Sequence, residues 1–115
     1  MMMPKRGEIW LVRFPFSDLT SVKLRPALVW AIHGEDVILI GIFSRIPDRT
    51  KRKTWIVIEE QHPGFRQAGL KKTSLIRVEK IAVVHKSVFQ KKLGKLSVSL
   101  MEDIEKALKS ALKMK

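Results

Sequence analysis

The sequence predicts a mainly β domain with a C-terminal α-helix, folded as a small, strongly curved antiparallel barrel. Three observations carry this. Short apolar runs of strand length follow one another between residues 8 and 85, turn and loop signals separate them, and the hydrophobic period becomes helical only from Ser99 onward. Six short strands and one amphipathic helix pack most economically as a barrel with the helix laid against it, since closure protects strand edges.

The first strand is Glu8 to Phe14, where Trp10, Val12 and Phe14 face one way and Ile9, Leu11 and Arg13 the other. Pro15 disfavours its continuation, and the polar segment Ser17 to Lys23 leads to Pro26–Ile32, an apolar run that reads as a strand buried on both faces. Gly34, Glu35 and Asp36 signal a turn, and Val37 to Ser44 is a second buried run that forms a hairpin with the first. Arg45 to Lys53 holds five basic residues, one acidic residue and Pro47, and reads as an exposed loop. Thr54 to Glu59 returns to strand character; Pro63, Gly64 and Gly69 mark another loop. Thr73 to Val78 and Ile81 to His85 are the remaining strands, with a bend at Glu79 and Lys80. From Ser99, Leu100, Ile104, Leu108 and Ala111 share a helix face, with Lys106, Lys109 and Lys113 directed away, and Ser99 and Glu102 have the spacing of a capping box.

A chain of 115 residues suits one domain, residues 1–115, and no repeat or composition shift divides it. Two strands as apolar as those at 26–32 and 37–43 need cover from the helix or a second subunit, which points to a homodimer. Lys and Arg number 23 against 11 Asp and Glu, a net charge of +12 that internal ion pairs leave unbalanced. Nucleic acid is the foremost polyanionic partner, through phosphate neutralisation and counterion release; an anionic membrane surface and basicity for solubility alone are the alternatives. Without cysteine there is no disulfide, thiolate metal site or cysteine nucleophile, so a site must use oxygen and nitrogen groups. No signal-peptide stretch opens the chain and no run approaches a membrane span, so the expected location is the cytoplasm.

Gly7-Glu8-Ile9-Trp10 at the start of the first strand, Lys23-Leu24-Arg25-Pro26 at the end of the polar loop, Ala27-Leu28-Val29 directly after it, and Val37 to Ser44 occur in an order and spacing that resemble the MazF/PemK-like family of small RNA-cleaving toxins. The likeness is most specific over the first 44 residues and extends loosely to the C-terminal helix. It implies an SH3-like barrel, a homodimer, and cleavage of single-stranded RNA (mRNA) at short sequences without metal or other cofactor. It also implies a partner antitoxin, an acidic protein that inserts into the RNA-binding groove.

That chemistry asks for a base to take the ribose 2′-hydroxyl proton, a cation on the phosphorane and an acid for the leaving 5′-oxygen, and it leaves a 2′,3′-cyclic phosphate. Arg25 suits the cation role, because a guanidinium grips two phosphate oxygens and Pro26 favours extended backbone at the strand mouth; the alternative is an ordinary strand-edge arginine. The family pattern places a threonine at the end of the second apolar strand, where this chain has Phe43 followed by Ser44. Ser44 supplies the hydroxyl if a bulge turns it to the groove; otherwise Phe43 occupies the position. Ser17, Asp18, Thr20, Ser21 and Lys23 flank Arg25 and offer donors and acceptors to bases, while Arg45, Arg49, Lys51, Arg52 and Lys53 form a basic segment that either tracks an RNA backbone or is a solvated loop. Trp30 and Trp55 read as core residues before base-stacking ones, and the settings and spacing of His33, His62 and His85 suit neither catalysis nor metal ligation. The rival to a nuclease is a non-catalytic RNA- or DNA-binding barrel; a protein-interaction module leaves the charge unexplained.

Overall fold

The computed structural model describes residues 3–13, 23–47 and 52–115. Its elements are β1 (Glu8–Arg13), β2 (Leu24–His33), β3 (Asp36–Phe43), β4 (Trp55–Ile58), α1 (Phe65–Ala68), β5 (Ser74–His85), β6 (Phe89–Lys95) and α2 (Val98–Ala111). One antiparallel sheet holds all six strands in the order β4-β5-β3-β2-β1-β6. β4 and β6 are its two ends, so curvature and not full closure gives the sheet its barrel-like form.

Chain length alone forces that curvature. β5 and β6 are four strand spacings apart in the sheet, about 19 Å if it were flat. Only the single 3-10 turn Lys86–Val88 joins His85 to Phe89, a span of at most about 14 Å. The sheet therefore curls until the end of β5 meets the start of β6. The curl encloses one core, from Trp10, Val12, Ala27 and Val29 through Val37, Leu39 and Val84 to Phe89. The second core lies on the other face, where α2 places Leu100, Ile104, Ala107 and Leu108 over Ile9, Leu28, Ile40, Ile42, Ile58 and Ile76. Alternate residues of β1, β2 and β3 thus feed opposite cores, which is why 26–32 and 37–43 are apolar throughout.

Strand prediction succeeds where burial is two-sided. β1, β2, β3 and β4 lie where expected, and β2 turns into β3 through Gly34 (φ 64°) and Glu35, a glycine-first two-residue hairpin loop. Phe14 falls outside the described residues. The two strands expected at 73–78 and 81–85 are one, β5. Its pairing with β3 jumps from Arg77–Gly41 to Ile81–Ile40, so Val78, Glu79 and Lys80 bulge where a bend was expected. β6 was not foreseen, because Phe89-Gln90-Lys91-Lys92-Leu93-Gly94-Lys95 buries one side at a sheet end and its lysines hide the alternation.

The loop expected around Pro63, Gly64 and Gly69 contains α1, a single turn ended by Gly69 in the left-handed region (φ 74°). The turn sits so close to β6 that a Cβ on Gly69 would strike the Leu93 carbonyl, and one on Gly94 the Gln67 and Ala68 carbonyls. The helix face Leu100, Ile104, Leu108 and Ala111 packs inward as expected. Its cap differs: Ser97, not Ser99, is the N-cap, accepting the Leu100 N–H at 3.3 Å. Val98 already has helical geometry, so Ser99 stands inside the first turn and the expected Ser99–Glu102 box does not form the cap.

Candidate functional site

The resemblance motif at the start of β1 folds into a clip. Gly7 (φ 90°) turns the chain and hydrogen-bonds Val29 and Leu96 through its backbone. Glu8, almost fully buried, accepts the Lys5 backbone N–H (2.8 Å) and the Trp10 indole N–H (2.9 Å) on one oxygen, while Lys92 Nζ lies 3.0 Å from the other. Burial pushes its carboxyl up, but the bonds from Trp10, Lys92 and Lys5 outweigh this and hold it below the ordinary carboxylate range. The clip ties β1 to β6 and seats Trp10 edge-on against Phe89, with ring centroids 5.6 Å apart. Its work is structural.

Arg25 stands on the inner face of the curl. It pairs with Val12 across β1–β2, two residues from Ala27, whose partners are Trp10 and Gly41. Its side chain is half-exposed at the rim, and among the described residues no acceptor or carboxylate engages it. An unpaired guanidinium beside a packed apolar floor is well placed to receive an anion.

The same register settles the orientation of Phe43. Ala27–Gly41, Leu28–Ile40 and Val29–Leu39 pair without interruption, and the bulge opposite Gly41 belongs to β5. Strand alternation therefore carries through Gly41 to Phe43 and puts the Phe43 ring on the Arg25 face. Ser44 lies just beyond β3 and is exposed.

A cluster that sequence reasoning missed adjoins them. Arg77 of β5 pairs with Gly41 on one side and Trp55 of β4 on the other. Gly41 leaves room for the Phe43 ring to lie back over it; a Cβ there would meet Phe43 Cε2 at 2.9 Å. The Arg77 guanidinium covers that ring at 5.7 Å and the Trp55 ring at 5.0 Å, and Arg52 covers Trp55 at 5.2 Å. Glu79, two residues on and on the same face, accepts from Arg77 Nε (2.9 Å) and Trp55 Nε1 (3.0 Å) on a single oxygen. Burial raises the Glu79 carboxyl, yet the bonds from Trp55, its own backbone, Arg77 and Thr54 prevail and lower it. The signal available in the sequence was Arg77 itself, a charge within the apolar run Leu75-Ile76-Arg77-Val78.

Of the other expected contacts, Lys23, Arg45, Arg52 and Lys53 are exposed, and Ser17, Asp18, Thr20, Ser21, Arg49 and Lys51 lie outside the described residues. Trp30 is half-buried against the helix-side core with Arg6 4.4 Å above its ring, and Trp55 belongs to the cation ladder. His62 Nδ1 accepts the Gly64 N–H, and His85 caps the turn before β6 while its Nε2 meets Glu35 at 3.2 Å. His33 is exposed at the end of β2. No described helix is long and apolar enough to cross a membrane.

Comparison with known proteins adds family and fold. The model of the family described as PemK-like, MazF-like toxin of type II toxin-antitoxin system matches residues 5–112. Curated protein sequences gave no match. A solved endoribonuclease from a mycobacterial species superposes with TM-score 0.71 at 22% identity, over 99% of this chain and 95% of that one. An endoribonuclease in complex with its cognate antitoxin, also from a mycobacterial species, gives 0.71 at 21%, over 97% of each chain. The Mycobacterium tuberculosis toxin MazF-mt6 gives 0.74 at 15%, over 94% of this chain and 98% of that one. At such identities the likeness is one of fold.

Proposed function

Because the chain belongs to the PemK-like, MazF-like toxin family of type II toxin-antitoxin systems, we propose that it is a metal-independent endoribonuclease acting on single-stranded mRNA in the cytoplasm. The observation that carries this is Arg25, a half-exposed cation with no acceptor among the described residues, on the inner rim of a sheet whose chain carries a net charge of +12. Arg25 grips the scissile phosphodiester and stabilises the dianionic phosphorane as the 2′-oxygen attacks phosphorus and the 5′-oxygen leaves. The products are a 2′,3′-cyclic phosphate and a free 5′-hydroxyl. With Phe43 on the Arg25 face, Ser44, exposed one residue beyond β3, takes part from the rim of the site by positioning the ribose. Lys23, Arg45, Arg52 and Lys53, with Ser17, Asp18, Thr20, Ser21, Arg49 and Lys51 of the adjoining segments, contact the RNA around the cut.

An antitoxin with an acidic segment occupies the same groove, competing with RNA for its cations. A second copy of the chain completes the assembly; Leu24, Ile81 and Val83, exposed at 47%, 38% and 64%, supply apolar surface for it. Phe43 supports a second reading, since a ring stands beside Arg25 where the family places a hydroxyl: a barrel that binds RNA or DNA without turning it over. Incubating the purified protein with single-stranded RNA and a chelator decides between them. Cyclic-phosphate ends support the nuclease; retention of intact RNA supports the binding protein; cleavage abolished by chelation overturns the metal-independent mechanism.

A further inference from the structure

The charged ladder next to Arg25 is built more carefully than a surface ion pair requires. Three groups brace Arg77: its guanidinium lies near the Phe43 and Trp55 rings, and Glu79 accepts from its Nε. Each support depends on another feature. Phe43 reaches Arg77 because Gly41 has no side chain, and Glu79 reaches both Arg77 and Trp55 because it stands two residues beyond Arg77 on the same face of β5. The two rings and the Nε bond brace the guanidinium. Its two terminal amino groups have no partner among the described residues, and a guanidinium's paired N–H donors match two oxygens of a phosphate.

Position agrees with that geometry. Arg25 and Arg77 stand on the same face, two strands and one side-chain repeat apart, about 12 Å between Cα atoms from sheet spacing. Two long cationic side chains at that separation can reach successive phosphates of one extended strand. Phe43 stands between them and is covered from the Arg77 side.

We propose that Arg77 is a second phosphate-binding residue of the Arg25 site, a pre-aimed clamp that holds the RNA phosphodiester adjacent to the scissile one, with Phe43, Trp55 and Glu79 as its positioning residues. This rests on the nucleic-acid reading of the groove. It also gives Phe43 a purpose: the ring that displaces a hydroxyl from the Arg25 face aims a second cation at the same backbone.

The test is binding of an end-labelled, mixed-sequence 2′-O-methyl RNA oligonucleotide, which has no 2′-hydroxyl to attack and so reports affinity without cleavage. Affinity is followed against salt concentration for the unaltered protein, Arg77→Gln and Arg77→Lys. Removal of one phosphate contact on a single strand should flatten the slope of log affinity against log salt by about 0.7. Arg77→Gln is expected to show that change with a loss of affinity of about tenfold, whereas Arg77→Lys keeps the slope and binds several-fold more weakly. Arg77→Gln with unchanged affinity and slope overturns the proposal and leaves the nuclease reading standing. Failure of the unaltered protein to bind removes both. If Arg77→Gln does not fold, Arg77→Lys decides, since affinity equal to that of the unaltered protein would show that the braced guanidinium grips nothing.

Discussion

One carboxylate oxygen of Glu8 accepts the indole N–H of Trp10 while the other faces Lys92, so a single side chain at the start of β1 fixes an inner-core ring and the neighbouring strand β6. Glu8→Ala would strand a buried indole donor and should destabilise the fold by about 2 kcal/mol, read as a lower midpoint in urea. Because the folded-state carboxyl is held below its ordinary value, the clip's stabilisation is fully present above the ordinary range and is lost as pH falls through the lowered one. Glu8→Gln should therefore show a shallower loss of stability in acid than the unaltered protein. An identical acid profile would mean that the carboxylate's charge contributes nothing.

Gly69 and Gly34 both have positive φ, but only Gly69 faces a backbone carbonyl where its Cβ would be. Gly34→Ala should cost about 1 kcal/mol of backbone strain. Gly69→Ala adds a collision with Leu93 that α1 and β6 relieve only by separating, and should cost at least about 3 kcal/mol. Thermal melts of the two variants measure the difference; equal losses would show that α1 withdraws freely from β6.

Arg25→Ala should abolish RNA cleavage while leaving the melting temperature within a few degrees, since a half-exposed cation contributes to the transition state and little to packing. An unfolded Arg25→Ala variant would instead mark Arg25 as a structural residue at the start of β2. Ser44→Ala separates the possible sources of the hydroxyl. With Phe43 on the Arg25 face a small fall in rate is expected, and a tenfold to hundredfold fall, the size of a proton-handling group's contribution, would show that the chain beyond Phe43 turns the Ser44 hydroxyl into the groove.

Gly41→Ala should leave the fold intact, because its Cβ would press only on the far end of the Phe43 side chain and touch the Lys80 Cβ at 3.4 Å. It should nonetheless weaken RNA binding several-fold, by lifting the ring that supports Arg77. Full retention of affinity would mean that Arg77 is aimed without Phe43.

Helix capping separates two serines that sequence spacing alone cannot rank. Ser97→Ala removes the acceptor of the Leu100 N–H and should cost about 1 kcal/mol, with Ser99→Ala nearly neutral. The reverse order in urea melts would place the cap at Ser99.

What the sequence discloses about this fold follows burial. Ile40 and Leu39 are unmistakable as strand because opposite cores enclose both faces of β3, and Ile104 and Leu108 are unmistakable as helix because one side of α2 is dry. β6 escapes notice because Lys91, Lys92 and Lys95 suit the sheet end they occupy and no apolar period survives there. Arg25 was legible, through the proline that follows it and the motif order around it. Arg77 was not, since what gives it significance is the adjacency of Gly41 and Trp55, which only strand pairing creates.

The pairing of β1 with β6 also has a bearing on how the chain is made. Glu8 lies opposite Lys95, so β1, made before the other five strands, keeps its outer edge open until β6 has emerged from the ribosome. At translation rates of about 5–20 residues per second, that is several seconds in which Trp10 lacks Phe89 and Glu8 lacks Lys92. The nascent chain thus offers an unsatisfied strand edge beside the segment that will hold Arg25, and its last strand is also the one that seals its first.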